Sequence, residues 1–117
     1  MLRTFLHSKI HRARVTDQQL DYEGSLGIDA LLLESAGILP GEKVYIYDIT
    51  NGERLSTYVI AEEKGSGRIK ILGAAARKVN LGDQLIIATY ARLTEEEWSR
   101  HKPRIIRLDE NNRPVKG

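Results

Sequence analysis

Hydrophobic residues occur along the chain in short runs separated by turn-forming residues, a pattern typical of a small β protein. Residues 2–16 are rich in Leu, Ile, Val and Thr with basic residues between them, which predicts one or two strands of a mostly antiparallel structure. The runs 43–49 and 54–60 flank the pair Asn51-Gly52, which predicts a β-hairpin. Further strands are predicted over 68–72, 84–90 and 105–108, the last of them at an edge.

Two short helices are predicted between these strands. Asp29 has the position of an N-cap for a helix over residues 30–36, and Gly37 follows as its stop signal. The run from Thr94 to Glu97 has the form of a capping box, which predicts the start of a short surface helix.

Six or so short strands with two short helices predict a mainly β fold, a small barrel or sandwich, in a single domain of residues 1–117. The pair Gly65-Ser66 is interpreted as a hairpin tip between two strands. The polar residues 111–117 are expected to fray at the end of the chain.

The composition places the chain among globular proteins. Its apolar fraction is 41%, its charged fraction is 29%, and no apolar run approaches the roughly 18 residues that a membrane span requires. The N-terminus shows no secretion signal, so we expect a cytoplasmic protein with no membrane partner. Cysteine is absent and His7, His11 and His101 lack carboxylate partners at ligand spacing, so we expect no metal site.

A net charge of +2 is too small to predict a nucleic-acid partner, and we expect none. Part of the basic excess nevertheless collects near the C-terminal end. It comprises Arg100, His101, Lys102, Arg104 and Arg107. A solvated basic edge is the ordinary interpretation of such a cluster.

Candidate chemistry starts at two places. The bond Gly24-Ser25 lies between the N-terminal strand region and the first helix, in contrast to the turn-like pair Gly65-Ser66. On a strand, Arg54 and Tyr58 share one face, so that a guanidinium and a phenol could converge over a bound ligand. The alternative is a cross-strand aromatic residue beside a surface charge. Lys9 likewise has the alternative of an ordinary solvated strand lysine.

Several short motifs follow one another in a characteristic order over nearly the whole chain. They are Lys9-Ile10-His11-Arg12, Tyr22-Glu23-Gly24-Ser25, Ala36-Gly37-Ile38-Leu39, Ile49-Thr50-Asn51-Gly52, Ser56-Thr57-Tyr58, Gly73-Ala74-Ala75-Ala76 and Gly82-Asp83. Together they resemble the pyruvoyl-dependent aspartate 1-decarboxylases, which make β-alanine for pantothenate synthesis. Such a set in one order is far more specific than any single motif.

The resemblance implies a six-stranded double-psi β-barrel with short helices, assembled as a homotetramer. It also implies that the chain cleaves itself at Gly24-Ser25, giving a β chain of residues 1–24 and an α chain of residues 25–117. The new N-terminal residue would carry a pyruvoyl group derived from Ser25. That cofactor would form a Schiff base with the amino group of L-aspartate and accept the electrons released with CO2.

The resemblance also assigns roles to residues around this bond. Tyr58 matches the proton donor, and Thr57 matches a substrate-binding residue. Lys9 and Arg54 are suitably basic for the two carboxylates of the substrate. The backbone of the small-residue segment would bind substrate as well, through Gly73, Ala74 and Ala75.

Two positions depart from the family pattern. Leu72 stands where family members commonly have Asn, and Arg77 stands where they commonly have His. Because that Asn is thought to assist self-cleavage, an apolar side chain at this position leaves three alternatives: slow processing, a compensating group elsewhere, or different chemistry. A rival hypothesis is an unprocessed barrel that acts as a binding module, with DNA as one candidate ligand. A third hypothesis keeps the enzyme but changes its substrate to glutamate or another amino acid.

Overall fold

A curved sheet of nine strands dominates the computed structural model, which describes residues 1–116. Its strands are β1 (Arg3–Arg14), β2 (Asp17–Gln19), β3 (Ser25–Asp29), β4 (Lys43–Asp48), β5 (Arg54–Glu62), β6 (Ile69–Leu72), β7 (Gln84–Leu93), β8 (Arg104–Leu108) and β9 (Pro114–Val115). Two α-helices, α1 (Ala30–Ala36) and α2 (Glu95–Arg100), and one 3₁₀ turn (Gly73–Arg77) complete the described elements.

The order of the strands makes the sheet curl round on itself. That order is β2-β6-β3-β5-β4-β7-β1-β8-β9, so β1 and β2 lie far apart in the sheet although only Val15 and Thr16 separate them in the chain. The Val15 N–H donates to the Asp83 carbonyl at 2.9 Å, and the Thr16 N–H donates to the Ile69 carbonyl at 2.9 Å. The short link between β1 and β2 therefore brings distant strands of the sheet together, and the sheet is barrel-like.

The predicted mainly β fold with short helices is therefore confirmed. The nine strands exceed the expected six by three: β2 and β9 contain three and two residues and are too short for a hydrophobic pattern to reveal, and β3 was not predicted as a strand. Both helix predictions are confirmed as well: an Asp29 carboxylate oxygen accepts from the Leu31 N–H at 2.8 Å, and Thr94 and Glu97 form a capping box. The hairpin of β4 and β5 is also present.

The interpretation of Gly65-Ser66 as the tip of a two-stranded hairpin is wrong, because β3 lies between β5 and β6. All five residues of β3 are buried, and the strand pairs parallel with β5 and antiparallel with β6. The turn instead binds the buried carboxylate of Asp29, to which the N–H groups of Gly65 and Gly67 donate at 2.8 and 2.9 Å. Because the buried strand β3 lies between β5 and β6, these two strands do not pair with each other.

The expected fraying of residues 111–117 is also wrong for the part that the structure describes, whereas Gly117 lies outside it. Asn112 is only 2% exposed, and its amide accepts from the Arg14 N–H at 2.8 Å and donates to the carbonyls of Arg14 and Gly67 at 2.9 Å. These bonds fasten the C-terminal segment to β1, and β9 pairs with β8. The prediction that β8 is an edge strand is consequently wrong, because β8 pairs with β1 on one side and with β9 on the other.

Aliphatic side chains from both ends of the chain fill the interior of the curved sheet. Among the largest fully buried side chains are Ile10, Leu26, Ile28, Leu32, Ile46, Ile69, Ile71, Leu85 and Ile87. Two of them, Leu26 and Ile28, belong to β3, so this packing fixes the strand that begins at Ser25. Within residues 1–116, no helix has the length and apolarity that crossing a membrane would require.

Candidate active site

A cavity of about 360 Å³ opens where β3 begins. Three segments meet there: the chain entering β3, the middle of β5, and the 3₁₀ turn after β6. The lining residues are Glu23, Gly24, Ser25, Leu55, Ser56, Thr57, Tyr58, Leu72, Ala74, Ala75 and Lys78. The structure thus brings Gly24, Ser25, Thr57, Tyr58, Ala74 and Ala75 of the predicted site into one cavity.

Ser25 has two unusual properties in this cavity. Its side chain is 1% exposed, and its buried Oγ has no hydrogen-bond partner among the described residues. Its φ of +153° is one that a residue with a side chain rarely adopts, and the preceding Gly24 has a φ of +106°. Because strained backbone and unpaired polar atoms cost free energy, their coincidence at one peptide bond indicates a functional position.

The strand register explains which groups surround Ser25. In the antiparallel pairing of β3 with β6, Ser25 lies opposite Leu72, whose buried side chain offers no hydrogen bond. In the parallel pairing of β3 with β5, Leu26 is matched with Val59, so Ser25 lies level with Tyr58. Tyr58 is 46% exposed, and its phenol is therefore accessible from the open side of the cavity.

Gly73 is buried at the start of the 3₁₀ turn and immediately precedes Ala74 and Ala75, which line the cavity. A Cβ atom built on Gly73 would meet the backbone of Gly24, so these two glycines are in close main-chain contact. The small-residue segment therefore serves tight packing at its first residue and lines the cavity at the next two.

Lys9 and Arg54 do not line this cavity in the single chain. They line a second cavity of about 350 Å³ together with Leu6, Tyr47, Ile86, Ala88 and Tyr90. The Arg54 guanidinium lies 4.5 Å from the centre of the Tyr47 ring, its cross-strand neighbour. Four residues of strand span about 13 Å, so a shared strand face does not by itself make Arg54 converge with Tyr58.

The second cavity suits an anion. The hydroxyl groups of Tyr47 and Tyr90 are 2.7 Å apart, and burial, followed by this hydrogen bond, raises the pKa of Tyr47 to about 12, so its phenol stays neutral. Burial, followed by the positive charges of Lys9, Arg12 and Arg107, lowers the pKa of the nearby His11. Among the described residues, none that lines this cavity is acidic.

Sequence reasoning missed Lys78, which lines the cavity of Ser25 from the end of the 3₁₀ turn. Its ammonium group lies 3.6 Å from the Glu53 carboxylate, an exposed and weak ion pair. No motif contains Lys78, and only the curvature of the turn brings it back toward β5. Across residues 1–116, no group of three potential ligands is arranged to hold a metal ion.

Comparison with known proteins points to one family. A sequence model described as "Aspartate decarboxylase" matches residues 1–115. A protein of Staphylococcus epidermidis named "Aspartate 1-decarboxylase" is 54% identical over 112 residues, which cover 96% of this chain and 88% of that protein. Proteins of the same name are 52% identical in Cupriavidus taiwanensis, over 96% of this chain and 93% of the relative, and 54% identical in Caldicellulosiruptor saccharolyticus, over 99% and 91%.

Proposed function

The chain belongs to the aspartate decarboxylase family, and on that premise we propose that it is an aspartate 1-decarboxylase, which converts L-aspartate to β-alanine and CO2. The observation that carries the proposal is the buried, unpartnered Oγ of Ser25 at a strained peptide bond, in one cavity with Tyr58. The product would feed pantothenate synthesis, and the enzyme would act in the cytoplasm.

Self-cleavage at Gly24-Ser25 would prepare the site. The Ser25 hydroxyl attacks the Gly24 carbonyl carbon, the peptide C–N bond breaks, and the nitrogen takes up the hydroxyl proton, leaving an ester. Loss of the α-proton of residue 25 expels the Gly24 carboxylate and leaves a dehydroalanine. Water then replaces the nitrogen of the dehydroalanine, which releases ammonia and leaves a pyruvoyl group at position 25. Residues 1–24 and 25–117 would then be two chains of one folded unit.

The residues of this cavity fit such a group. A pyruvoyl group at position 25 would supply a ketone that binds the substrate amine and accepts electrons as CO2 leaves. Thr57 and the backbone of the segment from Gly73 to Ala75 would orient the substrate, since Ala74 and Ala75 present little bulk to the cavity. Tyr58, level with residue 25 on the neighbouring strand, would donate a proton from its phenol to the substrate carbon that has lost the carboxylate.

We further propose that a second copy of the chain supplies Lys9 and Arg54. Both line a cavity separate from that of Ser25, so they do not complete the Ser25 site within the described single chain. In a homotetramer, the second cavity of one copy would face the first cavity of its neighbour and bind the substrate carboxylates. Light scattering that gives the mass of one 13.2 kDa chain would contradict this assembly.

Intact mass spectrometry under denaturing conditions tests the proposal first. We expect two species divided after Gly24, the larger with the mass of a chain that begins with a pyruvoyl group. The same preparation is expected to release CO2 from L-aspartate faster than from L-glutamate. A single full-length mass together with no CO2 release would refute the proposed function.

Leu72→Asn is expected to shorten the half-time of cleavage about tenfold. Leu72 lies opposite Ser25, so an amide there could donate to the oxygen of the Gly24 carbonyl as negative charge develops. One added hydrogen bond of about 1.4 kcal/mol in the transition state corresponds to this factor. The measurement is the intact mass of freshly purified protein sampled over time.

Leu72→Ala is the matched control, because it removes the leucine without adding a hydrogen-bond donor. We expect it not to accelerate cleavage. Equal acceleration by both variants would show that leucine acts only by its bulk, and no change in the Asn variant would show that another group has taken over.

The rival binding-module hypothesis depends on the C-terminal basic cluster. Part of that cluster makes contacts within the chain. Arg100 pairs with Glu96 at 3.1 Å, the Arg104 guanidinium donates to the Glu34 carbonyl at 3.4 Å, and His101 stacks on His7 with ring centres 5.3 Å apart. These contacts give DNA binding no support. Salt-sensitive DNA binding by an uncleaved, inactive protein would favour that rival.

A further inference from the structure

Gly73 is in contact with the segment that contains the proposed cleavage bond. A Cβ atom at position 73 would come closest to the Gly24 Cα, and would lie 2.5 Å from the Gly24 nitrogen and 2.8 Å from the Tyr22 carbonyl oxygen. All three are backbone atoms, so no side-chain rotation could relieve the clash. Only a glycine at position 73 therefore admits the chain from Tyr22 to Gly24 in its observed place.

This contact distinguishes Gly73 from four other glycines with positive φ. Gly73 has a φ of +69°, and several other glycines also have positive φ. At Gly41, Gly52, Gly65 and Gly82, however, an added Cβ would meet nothing within 4 Å. Those positions require glycine for backbone conformation alone, whereas Gly73 also requires it for space.

The residues on both sides of the cleavage bond are contacted by neighbouring backbone: Gly24 by Gly73, and Ser25 by its partner in the sheet. Ser25 is paired with Leu72, and the next residue, Gly73, supports Gly24. Two consecutive residues thus contact both sides of a bond whose flanking φ values are +106° and +153°. A bond in so strained a conformation needs such support from its surroundings to persist.

We propose that Gly73 is a positioning residue for self-cleavage, since the lack of a side chain lets Gly24 rest on its backbone and holds the Gly24 carbonyl carbon within reach of the Ser25 Oγ. This inference rests on the proposed function. It adds to the substrate-binding role that family resemblance implies for the same backbone, because it acts before any substrate binds. A displaced Gly24 would lose the alignment on which an intramolecular attack depends.

Gly73→Ala is expected to lengthen the half-time of cleavage at least about tenfold, measured by intact mass. Gly82→Ala is the matched control, because its φ of +86° imposes similar backbone strain while its Cβ would lie in open space. We expect the control to cleave within about twofold of the wild-type rate, since it leaves the alignment of the bond unchanged.

A second readout separates positioning from chemistry. In a Ser25→Ala background, which cannot cleave itself by the proposed route, a glutamyl endopeptidase reports on the exposed Glu23. Adding Gly73→Ala is expected to speed proteolysis after Glu23, because the segment no longer packs on position 73. Adding Gly82→Ala is expected to leave that rate unchanged. Faster proteolysis in this control as well would show that the substitutions act through a general loss of stability.

Gly73→Asn keeps the test available should Gly73→Ala fail to fold. Asparagine tolerates positive φ better than alanine but still adds a Cβ atom, so it retains the clash with Gly24. Wild-type cleavage rates in the folded Gly73 variants would overturn the inference while leaving self-cleavage intact. A wild-type protein that never cleaves would instead overturn the proposed function, and the inference with it.

Discussion

Ser25→Ala is expected to give a single uncleaved chain with decarboxylase activity below about 10⁻³ of the wild-type value, because it removes a nucleophile that is also the source of the cofactor. The substitution removes the Oγ that lies buried without a partner, so the attack on the Gly24 carbonyl cannot begin. Intact mass and CO2 release from L-aspartate measure the two effects on one sample.

The chain provides a matched control for this variant. Ser66 follows the other Gly-Ser bond of the sequence, in the turn that binds Asp29 through Gly65 and Gly67. Ser66→Ala is expected to cleave and turn over like the wild type, because Ser66 lies outside the cavity of Ser25. Decarboxylation that survives in Ser25→Ala would eliminate the pyruvoyl mechanism.

Folding of the Ser25→Ala chain must be established separately from its activity. Ser25 Oγ makes no hydrogen bond within the described residues, so its removal leaves no buried group unpaired. We therefore expect the variant to unfold at a temperature close to that of the uncleaved wild-type chain. A large loss of stability would show that the hydroxyl has a structural partner.

Local signals in the sequence were enough to predict the helices and the β4–β5 hairpin. The Asp29 cap, the Thr94 capping box and the Asn51-Gly52 turn each act over a few residues, and the structure confirms each of them. Such interactions depend on neighbours in the chain, so a sequence pattern contains most of the information needed. Insertion of β3 between β5 and β6 had no such local signal.

Long-range placement also decides the composition of the candidate site. A shared strand face suggested that Arg54 and Tyr58 converge, yet stacking on Tyr47 places Arg54 at a different cavity. Lys78 enters the Ser25 cavity only because the 3₁₀ turn brings it there. Family resemblance could indicate which residues matter, but their division between two cavities follows from the three-dimensional fold.

Tyr58→Phe is the second variant with a large expected effect, because it separates turnover from maturation. The phenol is exposed and lies level with residue 25, a position that suits proton transfer to the substrate. Loss of a general acid costs about 10²- to 10⁴-fold in rate. We expect kcat to fall by that factor with little change in KM, while intact mass shows normal cleavage after Gly24.

Tyr45→Phe serves as the control for a tyrosine outside both cavities. The edge of one ring faces the other in the pair of Tyr45 and Tyr90, whose ring centres are 5.1 Å apart. Phenylalanine would preserve this contact, so activity should stay close to wild type. A near-normal kcat in Tyr58→Phe would assign the proton transfer to another group. Loss of cleavage in the same variant would instead place the Tyr58 hydroxyl in maturation, because the substrate can react only after the Gly24-Ser25 bond has been cleaved. The ratio of the two effects therefore determines whether Tyr58 acts on the substrate or on the protein's own peptide bond.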